Sequence, residues 1–221
     1  RNISFRYYPE GFLFDAAGGL GQPKGKKDIF IPLGYLNSNI AEYLMAVLNP
    51  TISLHPGYIG KLPFKDVNCT SIVKKMVEFE TEDWNSQEIS WDFIRPTLLR
   101  KNLLSNPKTL RKSYKIIRQE WKKIVKEIQS LEQEVNYLFN QSYRVKNEIT
   151  TQIPIEEITL LCNPHHRYSG NYSEKELEVR LKKDTIKEFI SYVVGCMFGR
   201  YSLDKSGLIL ANQGETVEDY Y

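Results

Sequence analysis

NPKTLRKSYKIIRQEWKKIVKEIQSLEQEVNYL, residues Asn106–Leu138, is the stretch that decides the fold. Asn106 followed by Pro107 is a good helix start, because proline fits the first helical position, where no intrahelical N–H bond is lost. Leu110, Tyr114, Ile117, Trp121, Ile124, Ile128, Leu131, Val135 and Leu138 then recur with four-three spacing. That is a heptad seam, and it predicts a long helix, roughly 50 Å, packed against a partner helix. Lys108, Arg111, Lys112, Lys115, Arg118, Lys122, Lys123 and Lys126 crowd its first half against the single acid Glu120. Its second half carries Glu127, Glu132 and Glu134. This order opposes the helix macrodipole, which favours acids at the N-terminus and bases at the C-terminus. Local helix stability therefore does not explain the pattern. Lys108, Arg111, Lys115, Arg118 and Lys122 fall on one stripe, which suits a phosphate backbone. A solvated basic face, or one neutralised by acids such as those between Glu78 and Asp83, is the competing reading.

Working outward, residues 1–64 read as short strands with one helix. Ile3–Tyr8 and Phe12–Phe14 are aromatic and strand-like around the turn Pro9-Glu10-Gly11. A loop with four glycines and three lysines spans Ala16–Lys27. After the apolar run Phe30–Leu33, Asn37 or Ser38 is placed to cap a helix whose buried face holds Ile40, Tyr43, Leu44, Val47 and Leu48. Thr51–Leu54 reads as another strand. Residues 65–105 read as a short helix, Ser71–Glu80, and an acidic linker, Glu80–Trp91. The long helix takes 106–148. A helical region takes 149–221, with helices over Glu174–Lys182 and Thr185–Phe198. Ile186, Phe189, Ile190, Val193 and Val194 form the expected buried face of the second, and the tail is acidic. The resulting class is α+β: an α/β segment, a coiled-coil-type helix and a helical C-terminal part.

Composition narrows the function classes. A net charge of +3 does not by itself announce a nucleic-acid binder. Cys69, Cys162 and Cys196 form no disulfide framework or CxxC pair and suit a reducing cytoplasm. No apolar run reaches the length of a membrane span, so no membrane partner is expected. The chain opens at Arg1 and runs at once into a strand-like stretch, so a piece of a longer protein is expected.

Gly18–Lys27 invites a phosphate-loop reading but fails it. Leu20 stands where the first glycine belongs, and Lys27 stands where Ser or Thr would bind magnesium. The lysines Lys24, Lys26 and Lys27 are instead candidates for DNA phosphate contact, with a plain surface loop as the alternative. Cys162, His165 and His166 lack a fourth ligand at sensible spacing, so no metal site is assigned. No nucleophile–base set is legible, and no catalytic residue is assigned. Trp84 and Trp91 are candidates for base stacking, against the default of packing under the linker.

Several stretches resemble a known family. Phe189–Asp204 (FISYVVGCMFGRYSLD) is the most specific. Phe5-Arg6-Tyr7 with Pro9–Phe12, Ile89–Phe93, and Ile153-Pro154 leading to Glu156–Leu160 support it. Together they resemble the C-terminal region of the PglX family, the adenine-specific DNA methyltransferases of BREX phage-defence systems. Leu36-Asn37-Ser38 and Gly57-x-Ile59-x-x-Leu62-Pro63 are similar to the end of the target-recognition domains found in restriction-modification specificity subunits. One departure stands out: Tyr143-Arg144-Val145 occupies the place of a Tyr-Gly-Leu motif.

The resemblance implies a parent enzyme that methylates adenine N6 with S-adenosylmethionine, using an Asn-Pro-Pro-Tyr-type motif. Here Asn49-Pro50-Thr51, Asn106-Pro107-Lys108 and Asn163-Pro164-His165 all lack the second proline. The expectation is a cofactor-free, non-catalytic recognition and scaffolding piece. It would engage double-stranded DNA through Lys24, Lys26, Lys27, Lys108, Arg111, Lys115, Arg118 and Lys122. The alternative is a module that docks other phage-defence proteins.

Overall fold

A computed structural model describes residues 4–11, 20–22, 28–49, 56–99, 109–145, 148–205, 207–210 and 214–220. The helices are α1 (Phe30–Leu36), α2 (Asn39–Leu48), α3 (Pro56–Ile59), α4 (Thr70–Asn85), α5 (Leu110–Tyr143), α6 (Pro164–Arg167) and α7 (Glu174–Met197). Three short 3-10 turns accompany them. The chain divides into two compact units. Unit 1 is Arg1–Glu78 with Glu127–Glu157, and unit 2 is Phe79–Lys126 with Ile158–Tyr221.

The expected α+β class is overturned. Among the described residues there is no strand, only an isolated antiparallel bridge between Tyr201 and Leu208. The cause is visible at Phe5. Its N–H donates to Asn37 Oδ1, and its carbonyl accepts from Asn37 Nδ2, both at 3.0 Å. One side-chain amide thus supplies Phe5 with the pair of hydrogen bonds that a neighbouring strand would offer. The apolar run at Phe30 begins α1, where Asp28 Oδ1 accepts the Phe30 N–H at 2.8 Å. The strand-like stretches Phe12–Phe14 and Thr51–Leu54 lie outside the described residues.

Unit 1 is built on the second half of α5. Val135 and Phe139 pack with Tyr35, Ile40, Met45, Leu62 and Val73. Gly34 lets α1 close on α4, since a Cβ there would sit 2.7 Å from Val73 Cγ2. Two buried asparagines of α5 work as anchors. Asn136 Oδ1 accepts the Asn39 N–H at 2.9 Å, one of the orphan donors of α2's first turn. Asn140 Nδ2 donates to the Ile149 carbonyl at 2.8 Å. Ser38 caps α2 by accepting from the Ala41 N–H. Leu62 is buried in this core, and the carbonyl of the exposed Pro63 accepts from the hydroxyls of Tyr35 and Tyr143.

The buried stripe of α5 follows the 3.6-residue period of a straight helix, not a strict heptad. Val125 and Phe139 lie off the expected seam yet are buried, while Leu110 on it is 43% exposed. The expected start at Asn106-Pro107 lies outside the described residues; at the first described turn Thr109 Oγ1 accepts the Lys112 N–H. It ends in a Schellman motif, with the Val145 N–H donating to the Asn140 carbonyl and the Arg144 N–H to the Gln141 carbonyl. Arg144 is left-handed there, φ 63°. This is the position where the resemblance calls for glycine, and the arginine takes up the glycine conformation.

In unit 2, Leu98, Tyr114 and Ile117 pack with Trp121, Ile186 and Phe189. Asp83, near the end of α4, ties the 158–162 segment down by accepting the N–H groups of Leu161 and Cys162 at 2.5 and 3.1 Å. A capping box at Ser173 and Glu176 starts α7. The most specific of the family-like strings, Phe189–Asp204, meets another, Ile89–Phe93, here. Phe93 lies edge-on to Tyr192 and Tyr201, which stack at 4.9 Å. Glu88 accepts from Ser191 Oγ and the Tyr201 hydroxyl at 2.8 and 3.0 Å.

Two substitutions test this account. Arg144→Gly relieves the left-handed strain at the end of α5 and should stabilise unit 1 by about 0.5–1 kcal/mol, read as a higher melting midpoint. Gly195→Ala should lower the unit 2 midpoint, costing about 1–3 kcal/mol by overpacking, because its Cβ would meet the Tyr201 ring at 2.6 Å.

Candidate nucleic-acid interface

Of the residues expected to touch DNA, Lys24, Lys26, Lys27 and Lys108 lie outside the described residues. The other four lie on the first turns of α5, and the structure splits them into two kinds. Arg111 and Lys115 are exposed, and no ion pair joins them to a carboxylate among the described residues. Arg118 is buried, and its Nε and Nη2 donate to the two carboxylate oxygens of Glu178 at 2.9 Å each. Lys122 Nζ approaches Glu178 Oε1 at 2.7 Å. Half of the described stripe is therefore committed to fastening α5 to α7.

Burial alone would raise the Glu178 pKa. The hydrogen bonds and charges of Arg118 and Lys122 outweigh it and hold the carboxyl below its ordinary value. Arg118 stands at the edge of the buried stripe, so a planar, always-charged fork with a bidentate partner is the side chain that fits.

The outward basic face is rotated from the expected stripe. At about 100° per residue, Arg111, Lys112, Lys115, Lys123 and Lys126 share one side of the straight helix. All five are exposed and bear no ion pair among the described residues. On a 3.6 period Lys126 lies about 20° from Lys115 and joins the expected stripe, whereas Lys112 and Lys123 lie about 60–80° from Lys115 and widen the face beyond it.

The aromatic and metal candidates also resolve. Trp84 is half exposed and Trp91 is 91% exposed, so neither is packed away as the default reading held. Among the described residues no group of three His, Cys, Asp or Glu side chains is placed to hold a metal. Cys162 is buried, and burial followed by the neighbouring Asp83 pushes its thiol well above its ordinary pKa. His165 Nε2 lies 3.1 Å from Glu174 Oε1. Asn163 is fully engaged in structure, its Oδ1 accepting the His165 N–H and its Nδ2 donating to the Ile158 carbonyl. No described helix is long and apolar enough to cross a membrane.

No family model matches the chain. Two curated proteins do, over nearly all of it. The adenine-specific methyltransferase BrxX of Escherichia coli O9:H4 (strain HS) is 32% identical over 215 residues, which is 96% of this chain and 17% of that protein. The adenine-specific methyltransferase PglX of Lacticaseibacillus casei (strain Zhang) is 31% identical over 217 residues, 95% of this chain and 16% of that protein. The chain matches a segment of PglX-family adenine-specific methyltransferases. It spans about one-sixth of the length of these relatives. At this coverage the match to the PglX family takes in both compact units, with α5 and the Phe93–Tyr192–Tyr201 cluster.

The two kinds of base on α5 separate by mutation. Arg118→Ala leaves Glu178 without its fork and should destabilise unit 2 by about 2 kcal/mol, whereas Arg111→Ala and Lys115→Ala should each stay within about 0.5 kcal/mol. The Arg118 contribution should be complete above the ordinary glutamate value of 4.5 and vanish as pH falls through the lower folded value. Thermal melts of the three variants across that range check both statements.

Proposed function

We propose that this chain is a non-catalytic, DNA-engaging recognition and scaffolding segment, C-terminal in a longer adenine-specific DNA methyltransferase of the phage-defence type. The observation that carries the proposal is the outward face of α5. Five bases, Arg111, Lys112, Lys115, Lys123 and Lys126, stand exposed there without carboxylate partners among the described residues, in a chain related to methyltransferases. A rigid rod of cations about 20 Å long tracks phosphates without reading bases. The helix would hold the protein at a fixed register on duplex DNA, and base reading would be completed elsewhere on the longer protein.

In this reading the segment holds neither S-adenosylmethionine nor a flipped adenine. Asn163, in the Asn-Pro pair that is described whole, spends both ends of its amide on backbone groups. The described cavities are small clefts, one lined by Phe5, Leu36 and Met45 among others and one by Asp83, Trp121 and Arg167. In this reading, cofactor and catalytic motif belong to the remainder of the longer enzyme, and no chemical step passes through these residues.

A second reading, a module that docks protein, is favoured by one observation: α7 exposes Ile190, Val193, Val194 and Met197.

Duplex-DNA binding over a salt series decides between them. The 221-residue chain should bind with a negative slope of log affinity against log salt. A variant with Arg111, Lys112, Lys115, Lys123 and Lys126 changed to Glu should lose about 0.9 of slope for each phosphate contact removed. Arg118 and Lys122 are left intact, so folding is preserved. Equal binding by both proteins overturns the assignment to α5. Absence of binding by the wild-type chain moves the protein-docking reading ahead.

A further inference from the structure

Helix α7 is one continuous helix with two apolar sides. Near its C-terminal end, Tyr192 and Cys196 pack inward with Phe93 and Tyr201. On the opposite side, Val179, Lys183, Ile186, Ile190, Val193 and Met197 recur at four-three-four-three-four spacing. This is a heptad seam with β-branched residues at most of its positions. Only Ile186 is drawn partly into the core of unit 2. Ile190 is 53% exposed, Met197 79%, and Phe198, just beyond, 85%. A helix apolar on both sides is normally buried on both, and an exposed patch of this kind marks an interaction site.

The flanks of the seam set the chemistry of what covers it. Arg180 and Lys182 border its first half, and Lys183 sits within it, all exposed. Lys187, also on this border, is paired with Asp184. The acids of α7, Glu174, Glu176, Glu178, Asp184 and Glu188, occupy none of the seam positions.

We propose that this seam is the docking site for an amphipathic helix from elsewhere in the longer methyltransferase polypeptide, one whose apolar stripe is bordered by Asp or Glu. The proposal rests on the reading of the chain as a segment of such an enzyme. A second copy of α7 is a poor occupant. Paired parallel, it sets Arg180, Lys182 and Lys183 against themselves; paired antiparallel, it sets them against the apolar end at Met197. In the relatives, this segment is about one-sixth of the polypeptide. A helix supplied from the same polypeptide meets the seam at a high effective concentration, which suits a permanent, largely apolar contact.

The test is hydroxyl-radical footprinting of the full-length protein beside the 221-residue chain. Met197 and Ile190 should react readily in the chain. In the full-length protein they should react at least about tenfold more slowly, the factor that 1.4 kcal/mol of docking sets. Equal rates in the two proteins overturn the proposal. So does protection within the 221-residue chain that grows with its concentration, since a second copy would then be the occupant.

The double variant Ile190→Lys, Val193→Lys supplies the control. It should leave the melting midpoint of the chain unchanged, because both sites are exposed, yet restore fast labelling of Met197 in the full-length protein. Met197 protection that survives this variant overturns the assignment to the seam. Lys182→Glu with Lys183→Glu should weaken protection as well, and unchanged protection overturns the acidic-flank assignment. DNA binding is scored separately. If full-length protein fails to bind DNA while Met197 is protected, the functional reading falls and the docking seam stands.

Discussion

The ion pair between Arg118 and Glu178 is the constraint on which unit 2 depends. It joins α5 to α7 at a point where both helices carry dense charge of their own. A guanidinium at the border of a buried stripe costs several kcal/mol in desolvation unless each charge meets its partner in good geometry. The bidentate contact provides that geometry, and Lys122 adds a second cation to the same carboxylate. With this edge of α5 fixed against α7, Tyr114 and Ile117 face Ile186 and Phe189. The remaining bases necessarily turn outward. The exposed basic face thus follows from packing of the buried side, which explains why a single helix holds both structural and free cations.

Unit 1 depends on α5 in a different way. There the helix is nearly uncharged on its buried side, and polar anchoring comes from Asn136 and Asn140. Each uses its amide to satisfy a backbone group at the end of another segment, the first turn of α2 or the Ile149 carbonyl. Asn136 Nδ2 and Asn140 Oδ1 are buried without a partner, so these amides specify a register more than they add stability: a shifted partner would leave them wholly unsatisfied.

What could be read in the sequence was set by period and by caps. The long helix, the Ser38 cap and the apolar positions Tyr114, Ile117, Ile128 and Val135 were legible because each obeys a local rule. The α/β expectation failed at Ser4–Tyr8 because the Asn37 amide, thirty-two residues from Phe5, takes the place of a strand. The break expected between Lys182 and Thr185 does not occur. Asp184 and Thr185 disfavour a helix only while their side chains compete for backbone. Here Asp184 accepts from the Tyr168 hydroxyl, and Thr185 Oγ1 donates to the Leu181 carbonyl within the helix. Ile190, Val193 and Val194, expected on the buried face, are exposed. Of the basic run on α5, the crowding of charge was legible but the partners were not. Arg118 and Lys122 have the composition of a phosphate contact, and only the tertiary position of Glu178 reveals their other use.

The charge order along α5 runs against the helix macrodipole. Helix α7 obeys the macrodipole, with Glu174 and Glu176 in its first turn and a reciprocal cap. Helix α5 has no acid in its first turn and places Arg111 and Lys112 there instead. Arg118 and Lys122 lie beyond that turn and are drawn into the fold by Glu178. The cost of Arg111 and Lys112 is not offset by any carboxylate among the described residues. Each costs about 0.3–1 kcal/mol at low salt. An anion laid along the outer face of α5 would remove that penalty in the bound state and leave the inner face untouched. Affinity for a polyanion would then draw on strain already present in the free helix, and salt would weaken the strain and the affinity together.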